Sequence, residues 1–380
     1  MSLREPCMED LHVAVMVDIL SRLPVKTIIH CKCVCKQWQN IVVFDSYFAD
    51  LQFSRSSPPC LMIYYKAGPL KWVEVEEGLY YNLHHHPVMS LDINIAPMTL
   101  LVGSVRGLVC LWQLNKNVDN TYICNPITRE YTILPRPQYY REGSTNIVYC
   151  FGVSSLTREY KVIRIFQRGL IMLPDSTPTY SLSEAEVYTL GSGQWRSLGH
   201  FPYWLNGSHT GPFLNGHAHW IIRYQVLPEN ICAFDFDKET FELFPSPPSE
   251  VIHARQKKNY FQKLDLLKAC LCLCATSNSK FTLWVMKEYG IKNSWHKELV
   301  IRKGISRDLD MLILGHPCLI ECFKDGTILM ASSGNNLLVY SPGSKTVTET
   351  KTFEGCFKGL AYRPGFHRLL NFKNEIVKVF

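Results

Sequence analysis

The sequence predicts a small all-α module of three helices followed by one large all-β domain of propeller type. Three observations carry that expectation. Apolar residues recur at helical spacing up to about residue 52 and at strand spacing beyond it. The string Arg55-Ser56-Ser57-Pro58-Pro59 reads as a linker between the two regimes. Six segments of one hairpin plan then recur along the rest of the chain. The boundaries that follow are 8–52 for the helical module, 53–60 for the linker and 61–380 for the β domain.

Composition supports a packed chain. Of 380 residues, 47% are hydrophobic and 19% charged, which excludes a mainly disordered protein. The 22 Gly and 21 Pro are ordinary, so a low-complexity reading fails. No apolar run approaches the roughly 18 residues of a membrane span. The opening residues lack a basic stretch followed by an apolar one, so no secretory signal is expected.

In the helical module, Val13, Met16, Val17 and Leu20 share one face of a first helix, with Asp10 as its expected N-cap. Leu23-Pro24 breaks it, and proline opens the next helix. Val25, Ile28, Ile29 and Cys33 supply the second face; Val34, Trp38, Ile41 and Val42 supply the third. Three helices of about ten residues bury little core alone, so this module is expected to lean on a partner or on the rest of the chain.

Beyond the linker the period is two. Val73-Glu74-Val75-Glu76 alternates, and Cys232-Ala233-Phe234-Asp235-Phe236 places Cys and both Phe on one strand face. Long helical patterns become scarce, and the candidates near 251–269 are short. The six repeated segments are Tyr122 to Tyr131, Phe151 to Tyr160, Glu186 to Trp195, Cys232 to Phe241, Leu283 to Trp295 and Leu337 to Val347. Several leave through prolines, as in Leu134-Pro135 and Phe244-Pro245. Strands starting at Gly107, Asn215 and Phe323 resemble second half-blades. The later spacing matches a propeller blade, and the closer early segments read as half-blades or as an irregular first blade. The competing architecture is a β-sandwich or barrel built from similar hairpins.

Fifteen Cys in a long chain do not fit a disulfide scaffold, and the expected compartment is reducing: cytoplasm, nucleus or both. Cys31-Lys32-Cys33-Val34-Cys35 and Cys270-Leu271-Cys272-Leu273-Cys274 lack the paired spacing of a zinc site and read as packing. His84-His85-His86 sits in a Pro-flanked loop and His217-Ala218-His219 has no carboxylate or thiol partner nearby in sequence, so no metal and no cofactor are expected. The formal charge of +7 is dispersed, and Arg255-Gln256-Lys257-Lys258 reads as a solvated loop rather than a nucleic-acid surface. Aromatic loop residues Tyr139, Tyr140, Tyr203 and Trp204 are candidates for a substrate surface or for packing.

Three strings in the first 50 residues carry a family resemblance: Asp18-Ile19-Leu20-Ser21-Arg22-Leu23-Pro24-Val25-Lys26, Cys33-Val34-Cys35-Lys36-Gln37-Trp38 and Asp45-Ser46-Tyr47-Phe48. In order and spacing they resemble the F-box. Leu11-His12 departs from the family's opening Leu-Pro. The strings Gly107-Leu108-Val109-Cys110-Leu111, Asn125-Pro126-Ile127-Thr128-Arg129, Phe151-Gly152 with Tyr160-Lys161-Val162, and Glu186-Val187-Tyr188 with Trp195-Arg196 resemble the F-box-associated domain of plant-type F-box proteins. The resemblance implies a substrate receptor of an SCF-type cullin–RING ubiquitin ligase. Its F-box would dock on a Skp-family adaptor and its β domain would hold a protein substrate. By that analogy the adaptor-binding candidates are Leu11, Ile19, Leu20, Leu23, Pro24, Val25, Ile28 and Trp38. Intramodule packing is the competing role for Leu20, Leu23, Pro24, Ile28 and Trp38. The alternatives are an F-box scaffold outside a ligase, or a propeller hydrolase or lyase. Against an enzyme, the chain has no G-x-S-x-G, G-x₄-G-K-[ST], H-E-x-x-H or G-x-G-x-x-G.

Overall fold

The computed structural model of the chain describes residues 12–55, 60–65, 70–74, 89–91, 99–115, 118–137, 145–171, 179–205, 209–223, 229–248, 261–277, 279–302, 304, 310, 317–331, 336–351 and 357–379. Four helices come first: α1 (Val13–Leu20), α2 (Val25–Cys31), α3 (Lys36–Phe44) and α4 (Ser46–Arg55). Three were expected. The fourth starts behind Asp45, whose Oδ1 accepts the Phe48 N–H at 3.1 Å, and buries Phe48, Ala49 and Gln52. Its polar composition hides that narrow face from a search for helical period. It also occupies 53–55, which the sequence reading gave to the linker.

Helix α1 begins behind His12, whose Nδ1 accepts the Ala14 N–H; Asp10 lies outside the described residues. Met16, Val17 and Leu20 are buried as the spacing predicts, but Val13 is exposed. Cys33 and Val34 fall on the α2–α3 connection and face solvent rather than a helix core. Helices α1 and α4 are tied by Arg55, whose Nη2 lies 2.8 Å from Asp18 Oδ1. Hydrogen bonds from Arg22 and then Arg55 hold the Asp18 carboxyl below its ordinary pKa.

The strands among the described residues form six antiparallel sheets, here called blades I to VI. Blade I contains β1 (Cys60–Tyr65), β2 (Leu70–Glu74) and β3 (Met89–Leu91). Blade II contains β4 (Thr99–Val105), β5 (Leu108–Asn115), β6 (Val118–Asn125) and β7 (Glu130–Ile133). Blade III contains β8 (Thr145–Val153), β9 (Tyr160–Ile171), β10 (Thr179–Thr189) and β11 (Trp195–His200). Blade IV contains β12 (Phe213–Leu214), β13 (His217–Ile221), β14 (Ile231–Asp235) and β15 (Thr240–Phe244). Blade V contains β16 (Phe261–Leu267), β17 (Cys270–Thr276), β18 (Lys280–Met286) and β19 (Trp295–Arg302). Blade VI contains β20 (Cys318–Cys322), β21 (Ile328–Ala331), β22 (Asn336–Ser341) and β23 (Thr346–Lys351). Strand β24 (Phe357–Tyr362) then returns to pair with β1, and β25 (Lys378–Val379) adds to the outer edge of β7. The innermost strands touch in a closed cycle: β4, β8, β12–β13, β16, β20, β24 and back to β4. That cycle makes a propeller and not a sandwich or barrel. Residues 261–267, inside the stretch read as short helical patterns, are strand β16; 251–260 lie outside the described residues, as do Val75 and Glu76.

Strand period two explains how the blades stack. On β17, Cys272 and Cys274 enter the core shared with blade VI, while Leu271 and Leu273 enter the core shared with blade IV. On β14, Cys232 and Phe234 face blade III, and Ile231 and Ala233 face blade V. Central strands are thus buried on both faces, and Cys fills narrow gaps as a small hydrophobe.

Five of the six repeated segments are the outer hairpins of blades II to VI: β6–β7, β10–β11, β14–β15, β18–β19 and β22–β23. The sixth, Phe151 to Tyr160, is the inner hairpin β8–β9 of blade III, which accounts for the close early spacing. Their proline exits are used across blades. Trp195 Nε1 donates to Pro135 O at 2.7 Å, and Trp295 Nε1 donates to Pro245 O at 3.0 Å. Each outer-strand Trp thereby fastens the exit of the preceding blade.

Tight turns join the strands on one face. In β6–β7, Asn125 Oδ1 accepts the Ile127 N–H at 2.8 Å and Arg129 adopts φ 61°. In β14–β15, Asp235 Oδ1 accepts the Asp237 N–H at 2.8 Å and Glu239 adopts φ 56°. The shared Asx turn is the physical content of the sequence repeat. The β16–β17 turn has Lys268 at φ 49° and Ala269 at φ 56°, a conformation that favours glycine. Ala269→Gly is expected to raise stability by about 1 kcal/mol in urea denaturation.

Candidate protein-docking surfaces

The helical module is not a free appendage. Met16, Val17, Leu20, Val25, Ile28, Ile41, Val42 and Phe48 form one continuous core with Cys60 and Met62 of blade I and Val109, Leu111, Cys124 and Ile127 of blade II. Among the described residues no residue of the four helices enters the other five inter-blade cores; this one is shared with the helices. Around it the Phe48 and Phe366 rings lie 5.8 Å apart. Asp50 pairs with Arg106 at 3.4 Å and with His367 Nε2 at 3.1 Å. Gly107, at φ +85°, lies so close to Gly365 that a Cβ would stand 2.6 Å from its Cα. The module therefore leans on the rest of the chain, the second of the two expected supports.

Asn125 anchors the chain that passes beneath the helices. Its Nδ2 donates to Gly365 O at 3.0 Å and to His367 O at 2.6 Å. Buried Glu130 pairs with Arg368 and accepts the Leu369 N–H at 2.7 Å. Further along, Glu375 accepts hydrogen bonds from Tyr188 Oη and the Gly191 N–H on blade III.

The adaptor-binding candidates divide by exposure. Ile19 is 38% exposed and Pro24 also faces solvent. Leu23 and Trp38 are half-buried against the shared core. Leu20, Val25 and Ile28 point inward, where they hold the helices and touch no outside surface in this state. Leu11 lies outside the described residues. Sequence reasoning missed Val15, Phe44 and Tyr47, which are exposed with Val13 and Val34. Their signal was present: these are large apolar residues outside the buried helical stripes, a pattern that marks interaction surfaces when clustered.

The two propeller faces differ. The helices sit on the face of tight turns, since Arg106, Gly107 and Ile127 belong to the β4–β5 and β6–β7 turns. The C-terminal ends of β7, β9, β15 and β19 lie on the opposite face. Of the aromatic candidates, Tyr203 is on that side but packs into the blade III–IV core; Tyr139 and Tyr140 lie outside the described residues.

Buried charge is concentrated between blades II and III. Arg164 is wholly buried, with Nη2 2.9 Å from Asp119 Oδ2 and Nη1 3.2 Å from Glu186 Oε2. Its Nε donates to Tyr149 Oη at 2.9 Å, and Trp112 Nε1 donates to Asp119 Oδ1 at 2.6 Å. Burial pulls the guanidinium pKa down, but Tyr149, Asp119 and Glu186 outweigh it and the net shift is upward. The arrangement is satisfied and enclosed, so it reads as architecture rather than a reactive site.

His217 does have carboxylate neighbours, contrary to the sequence reading. Asp235 on the neighbouring strand β14 and Glu242 on β15 come within 3.6 and 3.8 Å of its Nε2. Among the described residues no three His, Cys, Asp or Glu side chains converge for a metal. His219 is buried, with Nδ1 3.3 Å from Pro212 O and Nε2 2.9 Å from Tyr289 Oη. Burial lowers its pKa to about 3, so the fold holds the neutral ring. Its contribution is complete above the ordinary value near 6.5 and is lost as pH falls from there toward 3. Unfolding free energy is expected to drop by about 2 kcal/mol more between pH 7 and 5 in the parent chain than in His219→Gln, measured by urea denaturation at both pH values.

The family comparisons agree with this architecture. The model of the F-box domain matches residues 8–47, and that of the F-box associated beta propeller domain matches residues 70–351. F-box protein At3g07870 of Arabidopsis thaliana is 29% identical, over 88% of this chain and 86% of its own length. F-box protein CPR1 of the same plant is 27% identical, over 75% and 71%. F-box/kelch-repeat protein At3g23880 of that plant is 25% identical, over 77% and 79%. Four helices fused to a closed propeller, with both family models matched in order, make this chain a member of the F-box proteins that carry an F-box-associated β-propeller domain.

Proposed function

We propose that the chain is the substrate-recognition subunit of an SCF-type cullin–RING ubiquitin ligase. The observation that carries this reading is the two-sidedness of the F-box. One side is committed to the propeller core, while Val15, Ile19, Pro24 and Val34 remain exposed for a partner. That partner is a Skp-family adaptor, and through it the cullin–RING assembly. The protein substrate is held on the propeller, on the face opposite the F-box.

In this role the chain supplies no catalytic group. A substrate bound to one end of a body whose other end is docked experiences a raised effective concentration beside the ubiquitin-loaded enzyme. The shared core makes that body stiff, so the distance between substrate and adaptor is set by the fold. The test is affinity capture of the full chain from its native cells, followed by comparison of protein abundances with and without residues 12–55. The reading requires a Skp-family adaptor and a cullin in the captured material, and proteins whose abundance rises when the F-box is removed. Capture of the adaptor with no protein stabilised would leave the scaffold role in its place.

A further inference from the structure

Strands β16 and β20 are the innermost strands of blades V and VI, and they meet through side chains rather than through a backbone ladder. At one point that contact is chemical in character. Lys263 Nζ lies 2.9 Å from Cys318 Sγ and 3.2 Å from Asp265 Oδ2. Asp265 Oδ2 also accepts the Leu319 N–H at 3.0 Å, which fixes the β20 backbone beside the pair. Burial alone would neutralise Lys263, but Asp265 and then Cys318 reverse this and favour the ammonium.

The neighbouring thiols have a different environment. Cys272 and Cys274 are enclosed in the apolar blade V–VI core, and burial pushes their pKa values up, which keeps them as inert thiols. Cys318 is partly exposed and in contact with a cation. Partial exposure beside a positive charge is the setting in which cysteine is oxidised selectively.

We propose that Lys263 and Cys318 form a peroxide-driven covalent cross-link between blades V and VI. The Cys318 thiolate attacks one oxygen of hydrogen peroxide; an S–O bond forms and the O–O bond breaks. The departing hydroxide takes a proton from the Lys263 ammonium and leaves as water. The amine so formed attacks the sulfur of the sulfenic acid, an N–S bond forms, and the S–O bond breaks with loss of a second water. Cys–S⁻, Lys–NH₃⁺ and H₂O₂ thus yield Cys–S–NH–Lys and two waters, with sulfur oxidised and peroxide reduced. Excess thiol reverses the link by attack at sulfur. The product staples the two inner strands at the start of β20. This inference does not depend on the ligase reading.

The experiment is peroxide treatment of the purified full chain, thiol quenching with an alkylating agent, and peptide mapping by mass spectrometry. The expected product is a Lys263–Cys318 linked peptide about 2 Da lighter than the sum of its parts, which disappears on treatment with dithiothreitol. Lys263→Arg keeps the cation but removes the nucleophilic amine, so it should abolish the link and leave a sulfenic acid that a dimedone probe traps at residue 318. Cys318→Ser should abolish both signals, and circular dichroism checks that both variants fold. A dimedone adduct without cross-link in the parent chain overturns the proposal. So does a Cys318–Cys274 disulfide, a bridge about 14 Da heavier, or no change at residue 318.

Discussion

Arg164→Met is expected to lower the unfolding free energy by about 3–5 kcal/mol, read from urea or guanidinium denaturation at pH 7. Arg164 has no exposed surface, and the carboxylates it faces, Asp119 and Glu186, are themselves nearly or fully buried. Methionine fills much of the volume but removes the cation that Asp119 and Glu186 face in the interior, and Tyr149 Oη loses the Nε donor. The cost of an unpaired buried charge exceeds the small net worth of the intact pair. The double variant Arg164→Met with Glu186→Leu should therefore recover part of the loss. A single variant as stable as the parent would show that the network is not holding blades II and III.

Phe48→Ala is expected to cost about 3–5 kcal/mol, because the ring is wholly buried and leaves a cavity between α4 and the propeller. Its contact with Phe366 places that cavity at the joint between F-box and blades. The loss should be local as well as large. Amide exchange in α1 to α4 should quicken, while β9, β14 and β17 keep their protection. Equal acceleration in blades III to V would mean that the helices are integral to the whole propeller. Unchanged exchange in the helices would mean that the shared core does not hold them.

What the chain displays in its sequence follows the range of each interaction. The outer hairpins were legible because their signals are local: alternation on β14, the Asx turns at Asn125 and Asp235, and the Trp at 195 and 295. Helix α4 was not, since its buried face rests on Phe48, Ala49 and Gln52 within a polar string. Asp119, Arg164 and Glu186 are spread over two blades and meet only through the fold, so no spacing rule points to them. The same reason hid the carboxylates at His217. The adaptor candidates drawn from the motif mixed two kinds of residue. Leu20, Val25 and Ile28 carry the motif because they make the helices pack, whereas Ile19 and Pro24 sit where a partner can reach. A one-dimensional motif does not separate these roles, because both follow helical spacing. Cys272 and Cys274 were readable as packing once the strand period was seen, whereas Cys33, in the other cluster, faces solvent on the α2–α3 connection; Cys318, outside both clusters, meets Lys263.

One face of the F-box is committed to the propeller core, and the proposed role requires another to be committed to an adaptor. Titration calorimetry of the full chain with a purified Skp-family adaptor tests it most directly. The expected result is saturable one-to-one binding that weakens at least about ten-fold in Ile19→Asp, a change of about 1.4 kcal/mol or more, with the circular dichroism spectrum unchanged. A folded parent chain that does not bind the adaptor, or an Ile19→Asp variant that binds as the parent does, would contradict it.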